Sequence, residues 1–207
     1  MNTDYIDLYQ FHLNDFPADQ AAPVREALEK LVSAGKIRAY GWSTDFPDRA
    51  QVFADGKRCA AIQVEMNVLD DAPDIIEVCE AENLAAINRG PLAMGLLTGK
   101  YTTQTVVAID DVRGKRAPSW MGYFSDGKPN PVWMAKLEAV REILTSGGRT
   151  LAQGALGWLW ARSDKTVPIP GFRTVAQVEE NCKALDFGAL TDAQMDEIDA
   201  MLARETI

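Results

Sequence analysis

Short apolar runs bounded by turn residues alternate along the chain with stretches whose apolar positions recur at helical spacing, which predicts repeated βα units. Tyr5 to Phe11 is the first extended run. After the loop Asn14, Asp15, Phe16, Pro17, the residues Val24, Leu28, Leu31 and Val32 share one helical face, and Gly35 closes that helix. Ile37 to Gly41 predicts a second strand leading into Trp42, Ser43 and Thr44, and Pro47 is placed to start a short helix through Ala50 and Phe53. In Ala60 to Met66 the residues Ile62, Val64 and Met66 alternate as a third strand requires. A helix from Pro73 to Glu82 leads to a fourth strand, Leu84 to Asn88.

The rhythm then breaks. Gly90 to Pro131 carries Gly, Pro, Trp and Tyr without a sustained period, and loops of that length in a folded domain usually serve a ligand. Trp120, Tyr123, Phe124 and Trp133 either line an apolar pocket or pack this loop down. Helical patterns return at Val132 to Leu144 and Thr150 to Arg162, followed by a short strand, Thr166 to Ile169. Gly171 turns the chain into a helix from Val175 to Ala184, and a last helix, capped by Thr191, runs from Asp192 to near Ala203. The expected fold class is α/β, a parallel sheet in one domain over residues 1–207. Periodicity alone leaves a doubly wound sheet and a closed barrel open, but the Gly-x-Gly-x-x-Gly turn of the former is absent.

Composition narrows the partners. At 47% hydrophobic and 25% charged residues the chain reads as an ordinary globular domain. A formal net charge of −9 argues against nucleic acid or an anionic membrane surface as partner. No run reaches the roughly 18 apolar residues of a membrane span, and no leader-like segment opens the chain, so the expected location is cytoplasmic. Cys59, Cys79 and Cys182 are odd in number and lack metal-ligand spacing; buried reduced thiols are expected, with no metal site.

In parallel α/β folds ligand chemistry gathers at the C-terminal ends of strands. His12, the only histidine, follows the first strand and is either a hydrogen-bonded structural residue or an acid or substrate orienter. Ser43 and Gln63 end the next two strands, where a hydroxyl and a carboxamide suit an amide-bearing ligand; a turn Ser and a satisfied core Gln are the plainer alternatives. Gly171 and Arg173 bring a tight turn and a guanidinium to a helix start, an arrangement that suits a phosphate. Gln177, Glu180 and Asn181 share one face of that helix and are placed to read a base, unless the face is simply solvated.

In sequence order these segments resemble the aldo-keto reductase family. Asp4 to His12 resembles its fourth strand, Gly35 to Ser43 its fifth, Gln63 to Asn67 its sixth, Pro91 to Tyr101 its seventh-strand loop, and Ile169 to Arg173 with Glu180 and Asn181 its eighth. The resemblance implies a partial (β/α)8 TIM barrel, strands 4 to 8 with their helices, and an NADP(H)-dependent oxidoreductase passing hydride between NADPH and a small aldehyde, ketone or alcohol. It implies that His12 orients the carbonyl oxygen and that Ser43 and Gln63 hold the nicotinamide carboxamide. Leu92 and Gly95 would lie in the loop that passes the pyrophosphate. Arg173, beside Gly171, would bind the adenosine 2′-phosphate, and Gln177, Glu180 and Asn181 would contact the adenine end. Arg89 departs from the aromatic residue that many members stack on the nicotinamide, and its charge is expected to alter hydride affinity.

The family's general acid is a Tyr supported by Lys and Asp, all on the first three strands. The resemblance starts at the fourth, so those three βα units are expected to be absent and this chain alone to be inactive, or to be a nucleotide-binding or regulatory half-barrel. Five parallel strands leave two open edges, from which marginal stability, self-association or a complementing chain follows.

Overall fold

Three aromatic side chains of the first two strands meet one phenylalanine on a helix, and that contact fixes which face of the sheet is covered. In a computed structural model, which describes residues 3–204, the elements run β1 (Ile6–Phe11), α1 (Ala21–Ser33), β2 (Ile37–Ser43), α2 (Pro47–Ala54), β3 (Cys59–Glu65), α3 (Pro73–Ala81), β4 (Ala85–Arg89), β5 (Phe124–Ser125), β6 (Lys128–Pro129), α4 (Pro131–Leu144), α5 (Leu151–Arg162), β7 (Thr166–Pro168), α6 (Val175–Phe187) and α7 (Asp192–Met201). The residues group into two compact units. One takes in the chain up to Met66, Asp71–Arg89 and Lys165–Ile169; the other takes in Asn67–Asp70, Gly90–Asp164 and the chain from Pro170 onward.

The first unit is a five-stranded, wholly parallel sheet in the order β1-β2-β3-β4-β7 with α1, α2 and α3. Phe53 of α2 receives Phe11, Tyr40 and Trp42 at ring-centroid distances of 5.8, 5.7 and 4.7 Å. Neighbouring residues in a strand point to opposite faces, so Gln10, Gly41 and Ser43 lie on the other side. Register carries Gln63 and Glu65 of β3, Ile87 and Arg89 of β4 and Val167 of β7 onto that same face, because Ser43 pairs with Gln63, Gln63 with Ile87, Glu65 with Arg89 and Ile87 with Val167. At Gly41 any side chain is excluded: a Cβ there would stand 2.1 Å from the Ala61 carbonyl oxygen and 2.8 Å from the Gln10 amide.

The second unit is mainly helical, and its helix starts are written in the sequence. Thr150 with Gln153, Thr174 with Gln177 and Thr191 with Gln194 form three capping boxes, in which the Thr hydroxyl accepts from the backbone of the Gln and the Gln side chain accepts from the backbone of the Thr. Gln153 also donates to the Glu180 carbonyl at 3.1 Å, tying α5 to α6. Between Gly90 and Pro131 there is one 3-10 stretch and the two-stranded hairpin β5-β6. Tyr123 and Phe124 are buried, Phe124 against Tyr101 at 5.0 Å and Tyr123 against Trp133 at 5.0 Å, so these rings pack the loop, while Trp120 is exposed.

The expected elements are present with shifted ends. β2 extends to Ser43 where Gly41 was the expected limit, since Thr44 N–H still donates to the Gln63 carbonyl at 2.9 Å. α6 continues past Ala184 to Phe187 and ends on Gly188, whose φ of 69° is left-handed. Cys79 is buried and burial pushes its thiol up to about 12; Cys59 is part-buried and pushed up to about 11. Cys182 is a correction: it lies exposed on α6, because the helix turns that position outward. No helix among the described residues is long and apolar enough to cross a membrane.

Candidate active site

Four of the residues singled out by sequence stand at the C-terminal ends of the first unit's parallel strands. His12 follows β1 directly and is exposed. The backbone beyond it is pinned: the Trp42 indole donates to the Leu13 carbonyl at 3.0 Å, and the Thr44 hydroxyl and Arg49 guanidinium donate to the Asn14 carbonyl at 3.0 and 2.7 Å. Ser43 is buried, Gln63 part-buried, and the two are register partners on β2 and β3. Neither the Ser43 hydroxyl nor the Gln63 carboxamide has a hydrogen-bond partner among the described residues. Two adjacent polar groups left unspent are what a ligand amide needs, since a carboxamide both donates and accepts.

Arg89 is not free. Its guanidinium donates to the Glu65 carboxylate at 2.6 Å and to the Asp45 carboxylate in a second, short contact, while Asp45 also accepts the Glu65 backbone N–H at 2.8 Å. All three side chains are about one third exposed. Asp45 and Glu65 did not stand out in the sequence, because nothing local tells that residues 20 and 24 positions apart will converge on one arginine. The one available signal was their place, each two residues past Ser43 or Gln63.

The remaining candidates belong to the second unit. Leu92 is buried, and after it Ala93, Met94 and Gly95 all have positive φ, at 46°, 54° and 93°. Left-handed backbone at two non-glycine residues is strained and is held by its surroundings. Arg113 donates to the Met94 carbonyl at 3.0 Å and is itself paired with Asp111 at 2.6 Å. The Arg113 hydrogen bonds hold the Asp111 carboxyl well below the usual carboxylate range. Gly171 and Arg173 are exposed at the start of α6, and the Arg173 guanidinium has no hydrogen-bond or ion-pair partner among the described residues. The Gln177 side-chain oxygen serves the helix cap, accepting from the N–H groups of Arg173 at 2.7 Å and Thr174 at 3.3 Å. Glu180 and Asn181 remain part-exposed on the same helix face.

The aldo/keto reductase family profile matches residues 1–203. The chain belongs to that family. It is 32% identical over 205 residues to the aldo-keto reductase yakc of Schizosaccharomyces pombe, designated by name as an NADP(+) enzyme, covering 96% of this chain and 57% of the relative. It is 29% identical to the NADH-specific methylglyoxal reductase of Escherichia coli, covering 99% of this chain and 60% of that protein. Among solved structures, the glycerol dehydrogenase of Gluconobacter oxydans superposes with a TM-score of 0.77 at 28% identity, over 99% of this chain and 61% of that one. This aldo/keto reductase chain thus spans about three fifths of the length of the relatives it matches.

Proposed function

We propose that these residues form the part of an aldo-keto reductase barrel that begins at the family's fourth strand, a partial (β/α)8 barrel, and that they bind NADP(H). The observation that carries this reading is the Ser43–Gln63 pair, register partners at strand ends whose side-chain polar groups have no partner among the described residues. Their donors and acceptor fit the nicotinamide carboxamide and would fix which face of the ring is presented. When bound, the cofactor supplies or accepts hydride at the carbon of an aldehyde, ketone or alcohol. The loop of Leu92 and Gly95 is assigned to the pyrophosphate.

Arg173 is assigned to the adenosine 2′-phosphate. Its guanidinium makes no hydrogen bond or ion pair among the described residues, although its charge helps to lower the Asp111 carboxyl, and a planar fork of donors suits phosphate oxygens. That favours NADP(H) over NAD(H), a choice on which the relatives' names divide. Gln177, Glu180 and Asn181 are assigned to the adenine end, Gln177 through its side-chain nitrogen, since its side-chain oxygen caps the helix. His12 orients the carbonyl oxygen of the substrate.

On this reading the general acid, a Tyr supported by Lys and Asp that the resemblance places on the family's first three strands, is not among the residues assigned here. Without that general acid, His12 holds a carbonyl but does not complete proton transfer to it. Titration with NADPH, followed by fluorescence, is expected to saturate, and Ser43→Ala with Gln63→Ala to weaken it. A panel of aldehydes and ketones is expected to give no NADPH oxidation. Turnover by this chain alone overturns the assignment of catalysis to residues outside it, and a folded sample that binds no NADPH overturns the whole reading.

A further inference from the structure

The sequence suggests a bare positive charge at Arg89, whereas the structure surrounds that charge with two negative ones. Arg89 donates to Glu65 at 2.6 Å and to Asp45, and Asp45 accepts the Glu65 N–H at 2.8 Å, so one guanidinium and two carboxylates form a joined group of net charge minus one. Glu65 lies two residues beyond Gln63 on β3, and Asp45 two residues beyond Ser43. Two residues of strand are about 7 Å. Glu65 and Arg89 share the face that carries Ser43 and Gln63.

We propose that the Asp45–Arg89–Glu65 group is an electrostatic device that favours the oxidised over the reduced nicotinamide, and so makes the bound reduced form a stronger hydride donor. The proposal rests on the assignment of Ser43 and Gln63 to the nicotinamide carboxamide. The oxidised ring is positive and the reduced ring neutral. A net negative charge nearby therefore stabilises the oxidised form alone. Whatever stabilises the oxidised form also stabilises the positive charge that builds on the ring as hydride leaves. Arg89 has a second task, because without it the Asp45 and Glu65 carboxylates would repel each other; it holds both in place while cancelling only one of their charges. Asp45 and Glu65 are thus positioning residues acting at a distance on the ring, and the sign of their effect is opposite to that of an unpaired arginine.

The test is the ratio of dissociation constants for NADP+ and NADPH, measured by titration on the full chain without any turnover. Removing one carboxylate, by Asp45→Asn or Glu65→Gln, brings the group to neutrality and is expected to weaken NADP+ relative to NADPH by a factor on the order of ten, from one unit charge at such a distance in a partly solvated site. Arg89→Gln makes the group more negative and is expected to shift the ratio the other way. Added salt should shrink each shift. The double variant Asp45→Asn with Arg89→Gln restores a net charge of minus one, and its ratio is expected to return towards that of the parent. A purely structural role predicts instead that the double variant is the worst binder of both nucleotides, with the ratio unrestored. If both nucleotides bind and the single carboxylate substitutions leave their ratio unchanged, the proposal is wrong. If the parent chain binds neither nucleotide, the carboxamide assignment itself fails and this inference falls with it.

Discussion

Replacing Gly41 by alanine would place a methyl carbon 2.1 Å from the Ala61 carbonyl oxygen, in the middle of a parallel sheet where neither strand can step aside. Gly41→Ala is therefore expected to destabilise the chain by about 2–3 kcal/mol, read as a lower urea midpoint with unchanged slope. Arg173 makes the opposite case, a residue whose removal costs the fold little. It is exposed and lacks an ion-pair partner among the described residues, so Arg173→Ala is expected to leave the urea midpoint in place. The same substitution should weaken NADPH by about tenfold to a hundredfold, the scale of a lost charge-assisted pair, and NADH far less. Equal losses for the two nucleotides would defeat the phosphate assignment. At this scale the sequence was a good guide to residue type and a poor one to partnership. Among the described residues Ser43, Gln63 and Arg173 have unspent polar groups, as a ligand site requires, but Arg89 and the Gln177 side-chain oxygen are engaged, and only distances reveal that.

Among elements, α6 separates stability from binding on a single helix face. Gln177 closes the capping box with Thr174, so Gln177→Ala is expected to cost about 1 kcal/mol of stability, whereas Asn181→Ala should cost almost none and act on nucleotide binding. Circular-dichroism melts beside NADPH titrations of the two variants would tell them apart. In the loop ahead of α4, Asp111 is tied to Arg113, which in turn holds the strained Met94 carbonyl. Its carboxyl is held below the usual range, so its contribution to stability is present above the unfolded value of about 3.9 and is lost as pH falls through the lower folded value. The deficit of Asp111→Asn should therefore be the same at neutral pH as near pH 5, and should narrow only below about pH 4. A deficit that already closes between pH 7 and 5 would contradict the pairing. Element order was legible because apolar periods of two and of three to four are local properties. Element ends were less so: β2 reaches Ser43 because its last residues bond to β3, a neighbour that local pattern does not name.

For the molecule as a whole, β1 and β7 each pair with one strand only among the described residues, and Tyr9 on β1 and Val167 on β7 are both at least 40% exposed. Open parallel edges invite further strands. Sedimentation at rising concentration is expected to show species heavier than one chain, and a single monomer at all concentrations would contradict it. Bound NADPH is expected to raise the thermal midpoint, since a ligand of the folded state alone stabilises it by mass action.

By itself the sequence determined the order of βα units, the places where they end in polar residues, the helix start at Thr191 and the membership of the aldo/keto reductase family, because each of these is carried by residues close together in the chain. The tertiary structure decided which polar residues are spoken for. It joined Arg89 to Asp45 and Glu65, left the Ser43 and Gln63 side chains without partners among the described residues, and gave the strand-end group a net negative charge where the sequence suggested a positive one. The reason is physical: a parallel sheet brings together residues some 20 positions apart, and charge at a site is a sum over neighbours in space.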